Sequence, residues 1–377
     1  MPFSFAARVI IRSVRILHIS SARTFSGTER HIADLSRELG ARGHENFIGL
    51  RPTSQWREHV SHIPNERLLY VSIRNSFGMF SSKRIARFVR EQGIDVIHTH
   101  VARDYLAASS AAKIAGAKLV LTRHMMGQLK PYYRIALRNV DAIVAVSAPV
   151  RDQLYQFFDR SKVHLISNGL RSQEIGDEEK EKLGREFREF HGVGMDELLV
   201  ATLGELKVAK GQRDFVLAAH EVIKEVPNAR FVVAGVDHTV DKRFRRELRR
   251  LVKVLGMGER FVWLDWLEDT KPFLSAADLF VSPSHEESFG LAILDAMLFG
   301  TPVVATATDG AIELIPEAVA LAPVRDPLEL AGVMIRYLTD EDARLDLGRK
   351  LKQTAGDRFS VSQMIDRTEA LYRSLLA

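Results

Sequence analysis

Short apolar runs alternate with amphipathic stretches along the whole chain. Residues 14–20, 95–100, 118–122 and 142–147 have the apolar, β-branched character of buried strands, and residues 198–203, 230–234, 279–283 and 302–306 repeat the pattern. Strands of this kind, separated by helical stretches, predict a parallel sheet built from βαβ units, whose two faces are both covered. The pattern occurs twice, so two α/β domains are expected. Between the two sets, residues 172–193 are strongly charged and predict a connecting loop followed by an exposed helix, which places the boundary near 170–195. The last stretch, 360–376, predicts a helix with Met364, Ile365, Leu371 and Leu375 as its apolar face.

Length supports this division, because 377 residues exceed the roughly 250–300 at which a single core stops growing. With 46% hydrophobic and 27% charged residues, the composition is that of a globular protein, and no apolar run approaches the roughly 18 residues needed to span a bilayer. The chain has no cysteine, which excludes disulfides and thiolate metal sites and fits a reducing compartment. Its opening, MPFSFAARVIIRSV, has arginines inside the apolar stretch and no small-residue cleavage site, so it predicts a short helical extension rather than a signal peptide.

Charge is distributed unevenly. Residues 1–170 hold 25 Lys and Arg against 12 Asp and Glu, leaving 28 against 36 for the remainder. A basic half expects an anionic partner. Without zinc-finger spacing or an aromatic RNP-like motif, an anionic membrane surface fits better than nucleic acid. Residues 79–90 place Ile85, Phe88 and Val89 near one helical face among Lys83, Arg84, Arg87 and Arg90. That pattern suits an interfacial helix, and suits equally a surface helix packed on its own sheet.

Candidate chemistry concentrates after residues 279–283, where SHEESFG, LAILDAMLFG and TPVVAT predict a loop, a buried helix stopped by Gly300, and the next strand. Ligands of open α/β sheets bind beyond the carboxyl ends of strands. If Glu287 opens the helix and Asp295 lies within it, the two carboxylates stand about 12 Å apart along the axis and about 80° apart around it. They cannot share one metal ion. They can grip two ends of an extended ligand, Glu287 at sugar hydroxyls and Asp295 at ribose hydroxyls, with the amides of Ser288, Phe289, Gly290 and Leu291 facing a phosphate. Ser284 and Glu287 also match a capping box, which would make Glu287 a helix cap only.

The block PSHEESFGLAILDAMLFGTPVVAT (283–306) resembles the E-x7-E region of retaining GT-B glycosyltransferases of the family 4 type, glycosyl transferases group 1. Further blocks follow in the family's order, among them SGTERHIADLSRELGARGHE (26–45), DVIHTH (95–100), LTRH (121–124), LISNGL (165–170), LGELKVAKGQ (203–212) and SAADLFVSPS (275–284). The resemblance implies two Rossmann-like domains with parallel sheets facing across a cleft. Residues 1–170 would form the acceptor domain, 171–359 the nucleotide-sugar donor domain, and 360–377 a helix crossing back to the first.

By position, Lys210 corresponds to the family lysine on the donor diphosphate, and Gly27 to the glycine of the first Gly-rich loop near the donor. Glu287, Ser288, Phe289, Gly290, Leu291 and Asp295 complete the expected donor site. His100 and His124 correspond to cleft histidines, and with Lys210 and Glu287 make the expected catalytic set. Ser26 and Glu29 also match a capping box, Asn168 and Gly169 are expected to turn into the hinge, and TATDG (306–310) resembles a Gly-rich loop leading to Glu313.

Two departures stand out: Glu205 occupies the place of the family's usual diphosphate-pairing Arg, with Lys207 or Arg213 to compensate, and Asp295 replaces Glu. The implied activity is retaining transfer of a sugar from a nucleoside-diphosphate sugar to a glycan or glycolipid acceptor, in the cytoplasm or at the inner face of the cytoplasmic membrane. No cofactor and no metal are expected, since no D-x-D motif stands near a strand end. A nucleotide-sugar epimerase of the same fold, or a non-catalytic nucleotide-sugar sensor favoured by Glu205, are the alternatives.

Overall fold

The computed structural model describes residues 13–73, 79–172 and 175–377, so the expected helical extension over residues 1–12 lies outside the described residues. The chain forms two compact units. One comprises residues up to Val146, Val150–Ile166 and Ile365–Ala377; the other comprises Ser147–Pro149 and Ser167–Met364.

The first unit is built on seven strands: β1 (Arg15–Ser20), β2 (Glu45–Leu50), β3 (Leu68–Tyr70), β4 (Val96–Thr99), β5 (Lys118–Arg123), β6 (Ala142–Ala145) and β7 (Val163–Leu165). They pair in the order β3-β2-β1-β4-β5-β6-β7, every pair parallel. The second unit has β8 (Leu198–Leu203), β9 (Ala229–Ala234), β10 (Phe261–Leu264), β11 (Leu279–Ser282), β12 (Val303–Thr306) and β13 (Leu321–Ala322), in the all-parallel order β10-β9-β8-β11-β12-β13. All eight strands expected from the apolar runs are present. Among them β4, β6 and β12 are buried throughout, as helices on both faces require.

Each sheet reverses its winding once, between β1 and β4 in the first unit and between β8 and β11 in the second. The loops that leave these strands diverge there, opening the crevice in which open α/β sheets bind ligands. Every expected site residue lies on or just beyond a loop of this kind, or on the strand or helix next to it.

The expected interfacial helix forms at Met79–Glu91, but the apolar face of Ile85, Phe88 and Val89 is turned into the unit. Ile85 and Val89 are buried, and Phe88 packs edge-on against Phe47 of β2. This corrects the interfacial reading: the buried face cannot enter a bilayer, and Lys83, Arg84, Arg87 and Arg90 remain exposed beside Phe80. Among the described residues, no helix is long and apolar enough to cross a membrane.

In the second unit the charged helix Asp177–Phe190 carries one buried cation that ties it to the sheet. The Arg188 guanidinium donates to the carbonyls of Ala276, Gly194 and Glu197 and to the Asp278 carboxylate at 2.6 Å, which also accepts the Leu199 amide of β8. Removing it strands a carboxylate and three carbonyls. Arg188→Ala is therefore expected to destabilise this unit by about 3 kcal/mol, read as a lowered midpoint in denaturant unfolding, while Arg185→Ala on the exposed face changes it little.

Candidate functional site

In the second unit β8 runs into residues 204–207, a single 3-10 turn at Val208–Lys210, Gly211, and the helix Gln212–Glu225. Gly211 has φ +66°, and a Cβ on it would sit 1.8 Å from the Pro283 carbonyl oxygen, so only glycine permits this contact with the loop after β11. The His285 amide donates to the Ala209 carbonyl at 2.9 Å, and the His285 ring pairs with Asp214 at 2.8 Å. Strapped together in this way, the two loops bring Lys210 onto Glu287 in a direct ion pair, both side chains mostly buried.

A second strap acts from below. The Gly310 amide donates to the Glu287 carbonyl at 2.9 Å, and a Cβ on Gly310 would meet the Phe289 amide nitrogen at 2.6 Å. Residues 283–290 are held as an irregular loop, and the helix begins only at Leu291, with Gly290 left-handed at φ +99°. This corrects the expected placement of Glu287 at the helix start. The helical spacing to Asp295 does not apply, and the Ser284–Glu287 capping box does not form, because Gly290 occupies the N-cap position.

The remaining donor-site residues divide by what they expose. Phe289 is buried with its ring edge-on to Phe359, so only its main chain can meet a ligand. Ser288 and Leu291 are half-buried. The helix's first ladder bond runs from Leu294 to Gly290, so the amides of Leu291, Ala292 and Ile293 precede the ladder, as at any helix start. Asp295 is buried within the helix and accepts from the Thr270 hydroxyl at 3.1 Å.

Glu205 is neutralised locally: Lys207 pairs with it at 2.7 Å, and Gln212 donates to its carbonyl. Of the two expected compensating cations, Lys207 is the one engaged. Glu313 faces elsewhere, accepting the Ala148 amide at 2.8 Å. Asn168 and Gly169 do not simply turn: Gly169 lies against the Ser360 carbonyl, and Leu170 bridges Ser360 in parallel.

The first unit presents different chemistry. Gly27 opens the helix Gly27–Ala41, and Ser26 stands at its N-cap. The Ser26 hydroxyl binds the Glu29 carboxylate rather than a backbone amide, and Glu29 also accepts from Ser20 at 2.8 Å, so the expected capping box is replaced by side-chain bonds to the buried Glu29.

His100 and His124 follow β4 and β5 and belong to a group of five histidines with His18, His31 and His98. Contacts run in a chain: His124 Nε2 to His100 Nδ1 at 3.4 Å, His100 Nε2 to His18 Nδ1 at 3.3 Å, and His18 Nε2 to Asn46 at 3.2 Å. His98 bonds the Tyr372 and Thr122 hydroxyls, each at 2.6 Å. Burial pushes His18 down to about 3 and holds His98, His100 and His124 well below the usual imidazole range, with neighbouring histidines adding to the effect. All four are neutral near pH 7. Asp104 moves the other way, raised by burial to about 6 while accepting the Ser21 amide.

Residues 25–174 match the Glycosyltransferase Family 4 domain, and residues 197–340 match the domain described as Glycosyl transferases group 1. The chain belongs to the family 4, group 1 glycosyltransferases. Its fold is of the GT-B type. The solved structure of Anabaena Alr3699/HepE in complex with UDP and glucose is similar with a TM-score of 0.81 at 22% identity, over 96% of this chain and 100% of that one. Among curated relatives, the N-acetyl-alpha-D-glucosaminyl L-malate synthase of Bacillus anthracis is 23% identical over 91% of this chain and 92% of its own length. The lipopolysaccharide core biosynthesis glycosyltransferase LpsE of Rhizobium meliloti is 23% identical over 93% and 96%.

For this glycosyltransferase, sequence reasoning missed His18, His31 and Asn46. The β1–β4 register sets His18 beside His98, while Asn46 reaches His18 from β2 and His31 joins from the helix Gly27–Ala41. The neutral histidines make acid sensitivity predictable. Where the folded pKa lies below the unfolded 6.5, the unfolded chain takes up protons that the native state refuses, so stability is complete above about pH 6.5 and falls as pH drops toward 3. His18 alone should withdraw about 2 kcal/mol between pH 6.5 and 5, with Asp104 offsetting part of the total as it protonates below about 6. Thermal unfolding at pH 7.5 and 5.0 checks this: the midpoint should drop in acid, and His18→Asn should shrink the drop.

Proposed function

We propose that this glycosyltransferase takes a sugar from a nucleoside-diphosphate sugar bound in the second unit and transfers it, with retained anomeric configuration, to a hydroxyl of a glycan or glycolipid acceptor. The observation that carries the reading is the Lys210–Glu287 pair at the β8/β11 switch point. With donor bound, Lys210 would turn its ammonium to the diphosphate, Glu287 would accept hydrogen bonds from sugar hydroxyls, and the amides of residues 288–291 would face the phosphates. Asp295 would hold the ribose after exchanging its Thr270 partner. A UDP and glucose complex of a protein sharing the fold supports a ligand of this class.

Transfer breaks the bond between the anomeric carbon and the diphosphate oxygen, and the bonding electrons leave with the diphosphate. The acceptor oxygen bonds to the same carbon on the same face, and its proton passes to the departing phosphate oxygen. Lys210 and the loop amides stabilise the charge that develops on the leaving group. The buried carboxylates Glu29 and Asp104 are engaged by Ser20, Ser26 and Ser21, which favours this route over one with a carboxylate nucleophile. On the acceptor side, His124 and His100 serve as neutral hydrogen-bonding groups, and Gly27 lets the first-unit loop approach the ligand. With Lys210 and the loop amides on the diphosphate, the reaction runs without a metal.

The test is nucleotide release from UDP-, GDP- and ADP-sugars, with and without an acceptor extract. Release that depends on acceptor, persists after chelator treatment, and falls about 100- to 1,000-fold in Lys210→Ala and Glu287→Ala is expected. Turnover of the donor sugar without acceptor would identify an epimerase, and binding without turnover a sensor.

The exposed basic face of Met79–Glu91 is proposed to bring the protein to anionic lipid by charge alone, consistent with a cytoplasmic protein peripheral to the inner membrane face. Pelleting with phosphatidylserine vesicles, lost in the Lys83→Glu, Arg84→Glu double variant and at high salt, is the expected result. Equal pelleting with neutral vesicles overturns it.

A further inference from the structure

The five-histidine cluster holds more imidazole than hydrogen bonding to a hydroxyl requires. Two sets of three place one nitrogen each within 4.8 Å of one another: His18, His98 and His100, and His31, His100 and His124. The first set is closed. All three residues are fully buried, and His98 already bonds the Tyr372 and Thr122 hydroxyls through its two nitrogens. The second set is open on one side, because His124 is half-exposed while His31 and His100 are buried.

We propose that His31, His100 and His124 form a site for a divalent transition-metal ion of zinc-like chemistry, bound through three imidazole nitrogens with a fourth position open to solvent. Zinc holds imidazole nitrogens at about 2.0–2.1 Å in a tetrahedron, which sets any two of them about 3.4 Å apart. His100 Nδ1 and His124 Nε2 are 3.4 Å apart. The His31 ring lies 4.8 Å from that of His124 and 5.5 Å from that of His100, centre to centre, so it completes the triangle from the helix Gly27–Ala41.

The outer nitrogen of His100 remains bonded to His18, which is held in turn by Asn46, the kind of support that fixes the tautomer and orientation of a metal-bound imidazole. Three imidazoles without a carboxylate select zinc, cobalt, nickel or copper over magnesium or calcium.

The full chain, stripped with chelator, is titrated with Zn2+ by calorimetry and with Co2+ by visible absorption. One ion per chain is expected, with the intense visible bands of a four-coordinate Co2+ site and no saturable response to Mg2+. His31→Gln and His124→Gln should each weaken binding at least about 100-fold, His18→Gln about 10- to 100-fold, and His238→Gln on the surface of the other unit should leave it unchanged. X-ray absorption of the zinc-loaded wild-type chain needs no variant and should show three imidazole nitrogens at about 2.0 Å. Absence of saturable binding, a shell of oxygens, or binding untouched in folded His31→Gln and His124→Gln overturns the proposal. The cluster is then a hydrogen-bonded relay only. Since ligation occupies His124 Nε2, loading should also slow sugar transfer; that consequence rests on His124 acting in transfer, and the binding readouts do not.

Discussion

The contact between Gly211 and the Pro283 carbonyl is the constraint around which the second unit's site is arranged. At that separation no side chain fits, so the turn after β8 and the loop after β11 lie backbone against backbone. Lys210, one residue before the contact, and Glu287, four residues after it, have no choice but to meet. A half-buried lysine and carboxylate left apart would each pay for lost hydration; paired, they hold one another in place. Such a pair is poised for exchange, since a ligand carrying both phosphate and hydroxyls offers each partner an equivalent contact.

The first unit handles polarity in the opposite way. Its exterior is strongly basic, yet its own switch point gathers neutral imidazoles, hydroxyls and an amide, together with the serine-held carboxylates Glu29 and Asp104. Burial supplies the neutrality: a protonated imidazole there would lose its hydration beside other histidines and gain no carboxylate in return. Thus the two units share a winding pattern and differ in electrostatics, one built around a compensated ion pair and the other around a cluster of neutral imidazoles.

Much of the architecture was legible because buried parallel strands must be apolar throughout. The strands that escaped have a physical reason for doing so. β2 (Glu45–Leu50) begins with two polar residues, β3 and β7 are three residues long, β13 is two, and the residues of β10 are only partly buried after Phe261. In the site, Lys210, Glu287, His100 and His124 could be singled out because family blocks surround them. Their geometry could not. Extending the helix back to Glu287 followed from local pattern alone, and the left-handed Gly290 and the packing of Gly310 on Phe289 overrode it. Glu205 looked repulsive in sequence because its neutralising partner, Lys207, is set by side-chain geometry rather than by motif. His18, His31 and Asn46 lie on separate elements, far along the chain from His98, His100 and His124, and converge with them only through strand register and helix placement.

The central claim is that Lys210 recognises the diphosphate of a nucleotide. Calorimetric binding of a nucleoside diphosphate and the matching monophosphate to the wild-type chain and to Lys210→Met tests it most directly. The account predicts that the wild-type chain binds the diphosphate at least about tenfold tighter than the monophosphate, a difference of about 1.4 kcal/mol, and that Lys210→Met abolishes this preference. An unchanged preference for diphosphate in a folded Lys210→Met protein would contradict it.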